Sequence, residues 1–342
     1  MYRRRDEKSG HYGYWGRDRW VIDPQFDYTF NFYDGYAAVR LHDGHYGLIT
    51  MDGAIRPLDA ICGGRTPIRE EFSFSGFASS IVGLPRYAPV QTEDGGHRQW
   101  GLIDTSLAYL PLPDDVFSGA ASLSPCGDHI KFHRSNGPGK DSSSGMFNLA
   151  EMRLELPCTY WGIHESAESF WVVWRCVYTP NQYRSAAFYD PKTRRIVSEW
   201  FFEAMPFSEG LGAVRKTESE GWTFVDESLR PAFDGGFDGV ERFSHGLAAV
   251  YQGSDAGYID AAGSMRLLLP YDDLQPFNAF GLAIANRDAS EWDLDIIDRK
   301  GKPRITGMET AVFWEGDFPY FEVTKNGKEQ LLDMDLNVIF EQ

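Results

Sequence analysis

The chain has 342 residues, of which 42% are hydrophobic and 24% are charged, as is usual for a globular protein. Its net charge of −17 argues against nucleic acid or an anionic membrane surface as a partner, and no apolar run is long enough to cross a bilayer. The 35 glycines and the 15% share of aromatic residues favour many short strands separated by turns, so the composition predicts an all-β protein.

The N-terminal residues 1–19 are predicted to be a basic tail. Arg3, Arg4 and Arg5 are not followed by the apolar segment of a signal peptide. The cysteines form no Cys-x-x-Cys pair and so predict no thiolate metal site; they are Cys62, Cys126, Cys158 and Cys176. We therefore expect a cytoplasmic protein with reduced thiols.

One pentapeptide recurs along the chain: a small or aromatic pair, then two apolar residues and, in most copies, Asp. The clearest copies are Tyr46–Thr50, Trp100–Asp104, Trp222–Asp226, Ala256–Asp260 and Leu294–Asp298. Weaker copies are Ser144–Asn148, Ala186–Asp190 and Glu329–Asp333, with a partial one at Trp20–Asp23. From Asp190 onward the copies recur about every 36 residues, which predicts about eight repeats in one domain over residues 20–342.

Each part of the repeat has a physical role. A Phe and a Gly precede a small-apolar run, as in Phe243–Val250, which we predict to be a strand. The pentapeptide is the next strand and is apolar on both faces, so it is buried. Its Asp opens a tight turn by capping backbone N–H groups, and a third strand such as Met265–Leu268 follows. These three strands form a meander that buries its apolar face only against neighbouring repeats.

These residues resemble the WG repeat family, whose units read roughly Phe-x-x-Gly-Leu-Ala-x-Val, then Trp-Gly-Tyr-Ile-Asp and a Gly turn. The resemblance extends from about Trp20 to Gln342. It implies a bacterial β-repeat protein with no catalytic residues assigned to the repeat. We predict that the three-stranded meanders stack as an open, solenoid-like array, because the chain ends on a complete hairpin over Leu331–Phe340; a closed β-propeller is the alternative.

The repeat is least regular from about residue 84 to residue 200, where insertions disturb its spacing. Insertions in repeat arrays often lie on the binding face. Aromatic residues in this divergent centre are our candidate partner-binding residues: Trp161, Phe170, Trp171, Trp174 and Tyr178. The alternative is that they form the core of a drifted fourth repeat.

Other motifs in the chain have ordinary explanations. The Gly/Ser-rich segment 135–142 lacks the first Gly of a P-loop and the Ser or Thr that should follow its Lys. His129 and His133 lack the Glu of a zinc-protease motif. The acidic run 288–295 lacks the Gly and the final Glu of a calcium-binding loop. The sequence therefore predicts no catalytic, cofactor-binding or metal-binding residue.

We expect a non-enzymatic scaffold that binds another protein, and the acidic charge favours a basic partner. A specific form of this hypothesis is an antitoxin or immunity protein that masks a cationic toxin. One alternative is binding of a carbohydrate or cell-envelope polymer, suggested by 10 Trp and 17 Tyr residues. Another is a hydrolase in the divergent centre, which predicts a cleft with closely spaced carboxylates.

Overall fold

The computed structural model describes residues 1–16, 18–32, 35–67, 87–104, 106–135, 142–166, 168–177, 183–288 and 293–341. The chain divides into two compact units. Unit 1 contains residues 1–159 and 315–319, and unit 2 contains residues 160–314 and 320–342. Within the described residues the secondary structure consists of short antiparallel strands and two four-residue helices. No helix in this part of the chain is long and apolar enough to span a bilayer.

Unit 1 contains four sheets, each built from strands that follow one another in sequence. The first contains β1 (Tyr2–Arg5), β2 (Tyr12–Trp15) and β3 (Trp20–Phe26). The second contains β4 (Tyr28–Thr29), β5 (Tyr36–Arg40), β6 (Tyr46–Thr50) and β7 (Ile55–Pro57). The third contains β8 (Thr66–Pro67), β9 (Tyr87–Asp94), β10 (His97–Asp104) and β11 (Tyr109–Pro111). The fourth contains β12 (Ala120–Cys126), β13 (His129–Arg134), β14 (Ser143–Asn148) and β15 (Arg153–Tyr160). Two helices, α1 (Leu58–Ile61) and α2 (Asp114–Phe117), follow β7 and β11.

Unit 2 contains five sheets of the same kind. The first contains β16 (Gly162–His164), β17 (Trp171–Val177), β18 (Tyr183–Asp190) and β19 (Arg195–Ile196). The second contains β20 (Glu203–Ala204), β21 (Gly212–Arg215) and β22 (Thr223–Val225). The third contains β23 (Gly239–Val240), β24 (Ala248–Gln252), β25 (Asp255–Ile259) and β26 (Met265–Leu269). The fourth contains β27 (Asp273–Leu274), β28 (Leu282–Asn286), β29 (Leu294–Asp298) and β30 (Pro303–Met308). The fifth contains β31 (Thr310–Trp314), β32 (Tyr320–Lys325), β33 (Lys328–Leu332) and β34 (Val338–Glu341).

Each full copy of the pentapeptide lies on a strand whose two apolar residues are buried, which confirms the all-β prediction. In β25, Tyr258 and Ile259 are both fully buried but belong to different core clusters, so both faces of the strand are covered. The glycine before them is required by close approach of the next strand. A Cβ atom on Gly257 would lie 2.2 Å from the carbonyl oxygen of Leu267 in β26.

The Asp that ends the pentapeptide forms the predicted tight turn. Asp260 Oδ1 accepts backbone N–H groups from Ala262 at 3.0 Å and from Ser264 at 2.9 Å. The N–H of Gly263 donates to the Asp260 carbonyl oxygen, and Gly263 has a positive φ of 76°. This is the hydrogen bond from the fourth residue to the first that closes a β-turn, with Asp first and Gly fourth as predicted.

Hydrogen bonds between consecutive sheets of unit 2 repeat with the sequence. The hydroxyl groups of Ser166, Ser208 and Ser244 donate to the carbonyl oxygens of Phe207, Phe243 and Phe277, at 2.8, 2.7 and 2.7 Å. In each case the Phe follows the first strand of the next sheet and is itself buried. The Phe that marks each repeat therefore anchors a contact with the sheet before it.

Nine sheets, most of them four-stranded, form in the described residues, rather than about eight three-stranded ones. The additional strand is the first of each sheet and is often only two residues long, as β23 and β27 are. Within residues 1–19, which were predicted to be a basic tail, Tyr2–Arg5 form β1 and Tyr12–Trp15 form β2. Tyr14 is fully buried there, and the Arg4 guanidinium lies 4.5 Å from the ring centroid of Trp15.

The sheets are the blades of a β-propeller, the alternative that the sequence left open, and the open stack is wrong. In unit 1 the loop 315–319, close to the C-terminal end of the chain, is bonded to residues close to the N-terminal end. The backbone N–H of Asp317 donates to the Phe32 carbonyl oxygen at 3.0 Å, and its carboxylate accepts the N–H of Gly35 at 2.8 Å. An open stack would keep residues so far apart in sequence apart in space.

Candidate functional site

The candidate partner-binding aromatics separate into core and surface residues. Trp171 is buried in β17, with its ring centroid 5.7 Å from that of Tyr189. Phe170 packs edge-on against the buried Phe207, at a centroid distance of 5.3 Å. Trp161 and Trp174 are half-buried and keep part of their surface exposed. Tyr178 lies outside the described residues.

Trp161, Trp174 and Arg184 form a cluster on one face of the β16–β19 sheet, called here the Trp161 cluster. Trp174 in β17 pairs with Ala186 in β18, and Arg184 lies two residues away from Ala186. Side chains two residues apart on a strand point to the same face, so Trp174 and Arg184 share a face. Trp161 directly precedes β16, and its backbone N–H donates to the Trp174 carbonyl oxygen at 2.8 Å.

The three side chains are stacked. The guanidinium carbon of Arg184 lies 3.4 Å from the ring centroid of Trp161, which is a close cation–π contact. The rings of Trp161 and Trp174 meet edge to face, with centroids 6.5 Å apart and an interplanar angle of 74°. The exposed ring of His164 also lies near Trp174, at a centroid distance of 6.4 Å.

Two polar groups of the cluster lack a hydrogen-bond acceptor or an ion-pair partner in the part of the chain that the structure describes. The indole N–H of Trp174 is buried without a hydrogen-bond acceptor. Arg184 is exposed, and no described carboxylate forms an ion pair with it. A guanidinium carries five N–H donors in a planar fork that matches a carboxylate. The cluster can therefore bind an apolar or aromatic group together with an anion.

Arg184 is the member of the cluster that sequence reasoning missed. In β18 it lies two and four residues before the buried Ala186 and Phe188, so the three side chains share one face of the sheet. A second stack lies on the opposite face of the sheet. There the Arg175 guanidinium lies 3.8 Å from the ring centroid of Trp200, and its Nε donates to Ser185 Oγ at 3.0 Å.

A cavity of about 440 Å³ in unit 1 lies in the region for which a hydrolase was considered. Asp115 is the one carboxylate among its described lining residues, which also include Arg134, Arg153 and Cys158. Burial raises the pKa of the Cys158 thiol, so this thiol is held in its less nucleophilic neutral form. The lining described here does not contain the pair of carboxylates that glycoside hydrolysis uses.

The remaining motifs of the sequence form local contacts or lie partly outside the described residues. Nδ1 of His133 lies 2.9 Å from Ser144 Oγ, and Nε2 of His129 lies 3.1 Å from Asn148 Nδ2, so each ring faces its own partner in β14. Burial lowers the pKa of His129. Residues 136–141 of the Gly/Ser-rich segment and 289–292 of the acidic run lie outside the described residues. Asp295, at the end of that run, is fully buried in β29.

Among the described residues, one group of side chains has the geometry to hold a metal ion: His11, Asp27 and His42 in unit 1. No local pattern indicated this group, because the three residues come from separate loops and match no ligand spacing. None of them was among the predicted site residues.

The antiparallel sheets and the repeated contacts between them define a β-propeller repeat protein. The chain carries WG repeats, as the resemblance of its sequence implied: the family model described as "WG containing repeat" matches residues 18–44 and 222–254. These two matches fall in unit 1 and unit 2, respectively. No curated protein matches the sequence.

Solved structures are similar to the chain in fold alone. A eukaryotic initiation factor is 10% identical, with a TM-score of 0.57 over 99% of this chain and 95% of that chain. Dipeptidyl peptidase 4 of Porphyromonas gingivalis is 12% identical, with a TM-score of 0.58 over 92% of this chain and 59% of that chain. Because a fold of this kind carries many functions, the function has to be argued from the site.

Proposed function

We propose that the chain is a protein-binding scaffold that holds an acidic segment of a partner protein at the Trp161 cluster. The observation that carries this proposal is the Arg184 guanidinium, stacked at 3.4 Å on Trp161 and exposed without a described carboxylate partner. Trp and Arg are the residues most enriched among those that dominate binding energy at protein interfaces.

The local charge gives the partner a different chemistry from the one that the net charge favours. The chain has 50 acidic and 33 basic residues, which on average attract a basic partner. At the Trp161 cluster, however, the exposed charge is a guanidinium, and its natural ligand is a carboxylate. We therefore assign the anchoring contact to an Asp or Glu of the partner, next to an apolar side chain that covers Trp174.

Carbohydrate binding has less support at this cluster. A sugar ring stacks on the open face of an aromatic side chain, as apolar C–H groups do. Arg184 covers one face of Trp161, and the edge contact with Trp174 occupies another side of the ring.

The test compares full-length variants as baits for affinity capture, followed by binding measurements with each purified candidate. Arg184→Ala and Trp161→Ala are expected to weaken binding about 30-fold each, as loss of about 2 kcal/mol at an interface hot spot does. Arg184→Lys should bind almost as weakly as Arg184→Ala, because lysine keeps the positive charge but cannot form the planar stack on Trp161. Raising the salt concentration should weaken the wild-type complex.

The matched control is Arg299→Ala. Arg299 is also exposed and lies 5.6 Å from the ring centroid of Phe277, so this variant removes the same charge and a similar stack at another site. A partner that binds at the Trp161 cluster should bind Arg299→Ala as tightly as the wild type and Arg184→Ala much more weakly. Partners that bind all three alanine variants equally would show that the Trp161 cluster is not the binding site. A glycan that binds the wild type but not Trp161→Ala would instead favour the carbohydrate alternative.

A further inference from the structure

Three potential metal ligands meet between the first two sheets of unit 1. His11 directly precedes β2, Asp27 separates β3 from β4, and His42 follows β5. Their ligand atoms all lie within 4.8 Å of one another. Because these residues come from three loops, the fold itself brings them together.

The distances within the group are close to those of a coordination shell. Asp27 Oδ1 lies 2.7 Å from His42 Nδ1 and 4.0 Å from His11 Nδ1, and the two imidazole centroids are 4.1 Å apart. Tetrahedral zinc with bonds of about 2.1 Å places its ligand atoms about 3.4 Å from one another. To bind zinc, the distance from Asp27 Oδ1 to His42 Nδ1 must therefore lengthen, and that to His11 Nδ1 must shorten, each by less than about 1 Å. The exposed fractions of the two histidine side chains, 38% and 52%, leave room for that rotation.

Asp27 is held so that one of its oxygens faces the histidines. Its Oδ2 lies 3.7 Å from Nη2 of Arg40, and its backbone N–H donates to the Arg40 carbonyl oxygen at 2.8 Å. Carboxylates that bind metals are commonly oriented by such a second partner. Arg40 thereby leaves Oδ1 as the single oxygen offered to an ion.

We propose that His11, Asp27 and His42 bind a divalent transition-metal ion, with Zn²⁺ as the best fit and water completing its coordination. Two imidazoles and one carboxylate suit Zn²⁺, whereas Ca²⁺ and Mg²⁺ take oxygen ligands. The ion would connect the loop before β2, the β3–β4 connection and the loop after β5. It would thus fasten the N-terminal sheet to the second sheet of unit 1.

The experiment titrates the full chain, purified without a histidine tag and freed of metal with a chelator, with ZnCl₂. Calorimetry should give one ion per chain, and the thermal midpoint should rise as Zn²⁺ is added, because the ion binds the folded state. His42→Ala and Asp27→Asn should each weaken Zn²⁺ binding about 100-fold or more. MgCl₂ at the same concentration should leave the midpoint unchanged.

The matched control is His97→Ala, which removes another exposed histidine that faces a single carboxylate, that of Asp114 at 3.0 Å. Its binding curve should coincide with that of the wild type. Equal binding by His42→Ala and wild type, an equal loss in His97→Ala, a comparable response to Mg²⁺, or no response of the wild type to Zn²⁺ would each overturn the proposal. Because Asp27→Asn retains both rings and nearly the same volume, it tests the site even where His42→Ala unfolds.

Discussion

The β16–β19 sheet of the divergent centre and the β23–β26 sheet of the regular repeats make the same backbone contact in different surroundings. Ser166 in the first and Ser244 in the second each donate to a buried Phe carbonyl of the next sheet. The two sheets differ in how their half-buried aromatics are satisfied. The hydroxyl of Tyr251 in β24 donates to Asp273 at 3.0 Å, whereas the Trp174 indole N–H in β17 has no described acceptor. The divergent sheet therefore differs in the hydrogen bonding of its half-buried aromatic side chain but keeps the contact that joins it to the next sheet.

The largest expected effect is on the free energy of unfolding, and it tests whether the cores of the divergent and the regular sheets are packed equally well. Phe188 and Phe224 occupy the same pentapeptide position, are fully buried and each contact other Phe rings at about 5 Å. We expect Phe188→Ala and Phe224→Ala each to lower the free energy of unfolding by about 3–5 kcal/mol, measured by denaturant unfolding. A Phe188→Ala cost below about 1 kcal/mol would show that the divergent sheet is not packed as the regular sheets are.

The next effect compares a buried charge of a regular sheet with the exposed charge of the Trp161 cluster. Asp295 accepts bonds from the Tyr271 hydroxyl at 2.7 Å and from Arg287 Nε at 2.8 Å. Asp295→Ala should cost about 2–3 kcal/mol, because it leaves the buried Tyr271 hydroxyl without its acceptor, whereas the exposed Arg287 turns to solvent. Arg184→Ala should cost less than about 1 kcal/mol, because its stack is exposed. If Arg184→Ala destabilised the protein as strongly as Asp295→Ala does, the Arg184 stack would be structural.

A smaller effect concerns the contact that both sheets share. Ser166→Ala and Ser244→Ala should each cost about 1 kcal/mol, because each leaves a Phe carbonyl oxygen without its donor. Ser219→Ala, at an exposed serine in a turn, is the matched control and should be close to neutral. If Ser166→Ala and Ser244→Ala lowered the free energy of unfolding by different amounts, the divergent sheet would be joined to the next sheet by other contacts.

The smallest effect is a pH dependence in the turns of the regular repeats. The backbone N–H of Ser264, followed by Arg266, holds the pKa of Asp260 below its ordinary value. A carboxyl whose pKa is lowered by folding stabilises the protein fully above its unfolded pKa of about 4, and this contribution is lost as the pH falls through the folded pKa. The unfolding midpoints of wild type and Asp260→Ala should differ by a constant amount from pH 7 to pH 5 and converge below about pH 4.

The sequence predicted the parts of the fold whose signals are local. The apolar centre of the pentapeptide predicted strands such as β25, and its Asp predicted the turn at Asp260. The first strand of each sheet was missed because two residues, as in Asp273–Leu274, are too short to show alternation. Strands β1 and β2 were missed because their arginines suggested a solvated tail, although these stack on neighbouring aromatics.

The site residues were predicted only in part, for the same reason. Trp161 and Trp174 were recognised as aromatics in a divergent region, but sequence clustering could not separate them from Trp171, which points into the core. Arg184 joins Trp161 only through strand pairing, and His11 joins His42 only through the folding of two sheets. Contacts between distant segments leave no local pattern in a single sequence.

The bonds of Asp317 to Phe32 and Gly35 also bear on the order in which the protein is made. Unit 1 is discontinuous, since residues 315–319 belong to it although they are synthesised some 150 residues after Thr159. While the nascent chain emerges from the ribosome, the Phe32 carbonyl and the Gly35 N–H lack these hydrogen bonds until Asp317 has been synthesised. A ribosome stalled before residue 315 would therefore display an N-terminal half that still lacks its final segment.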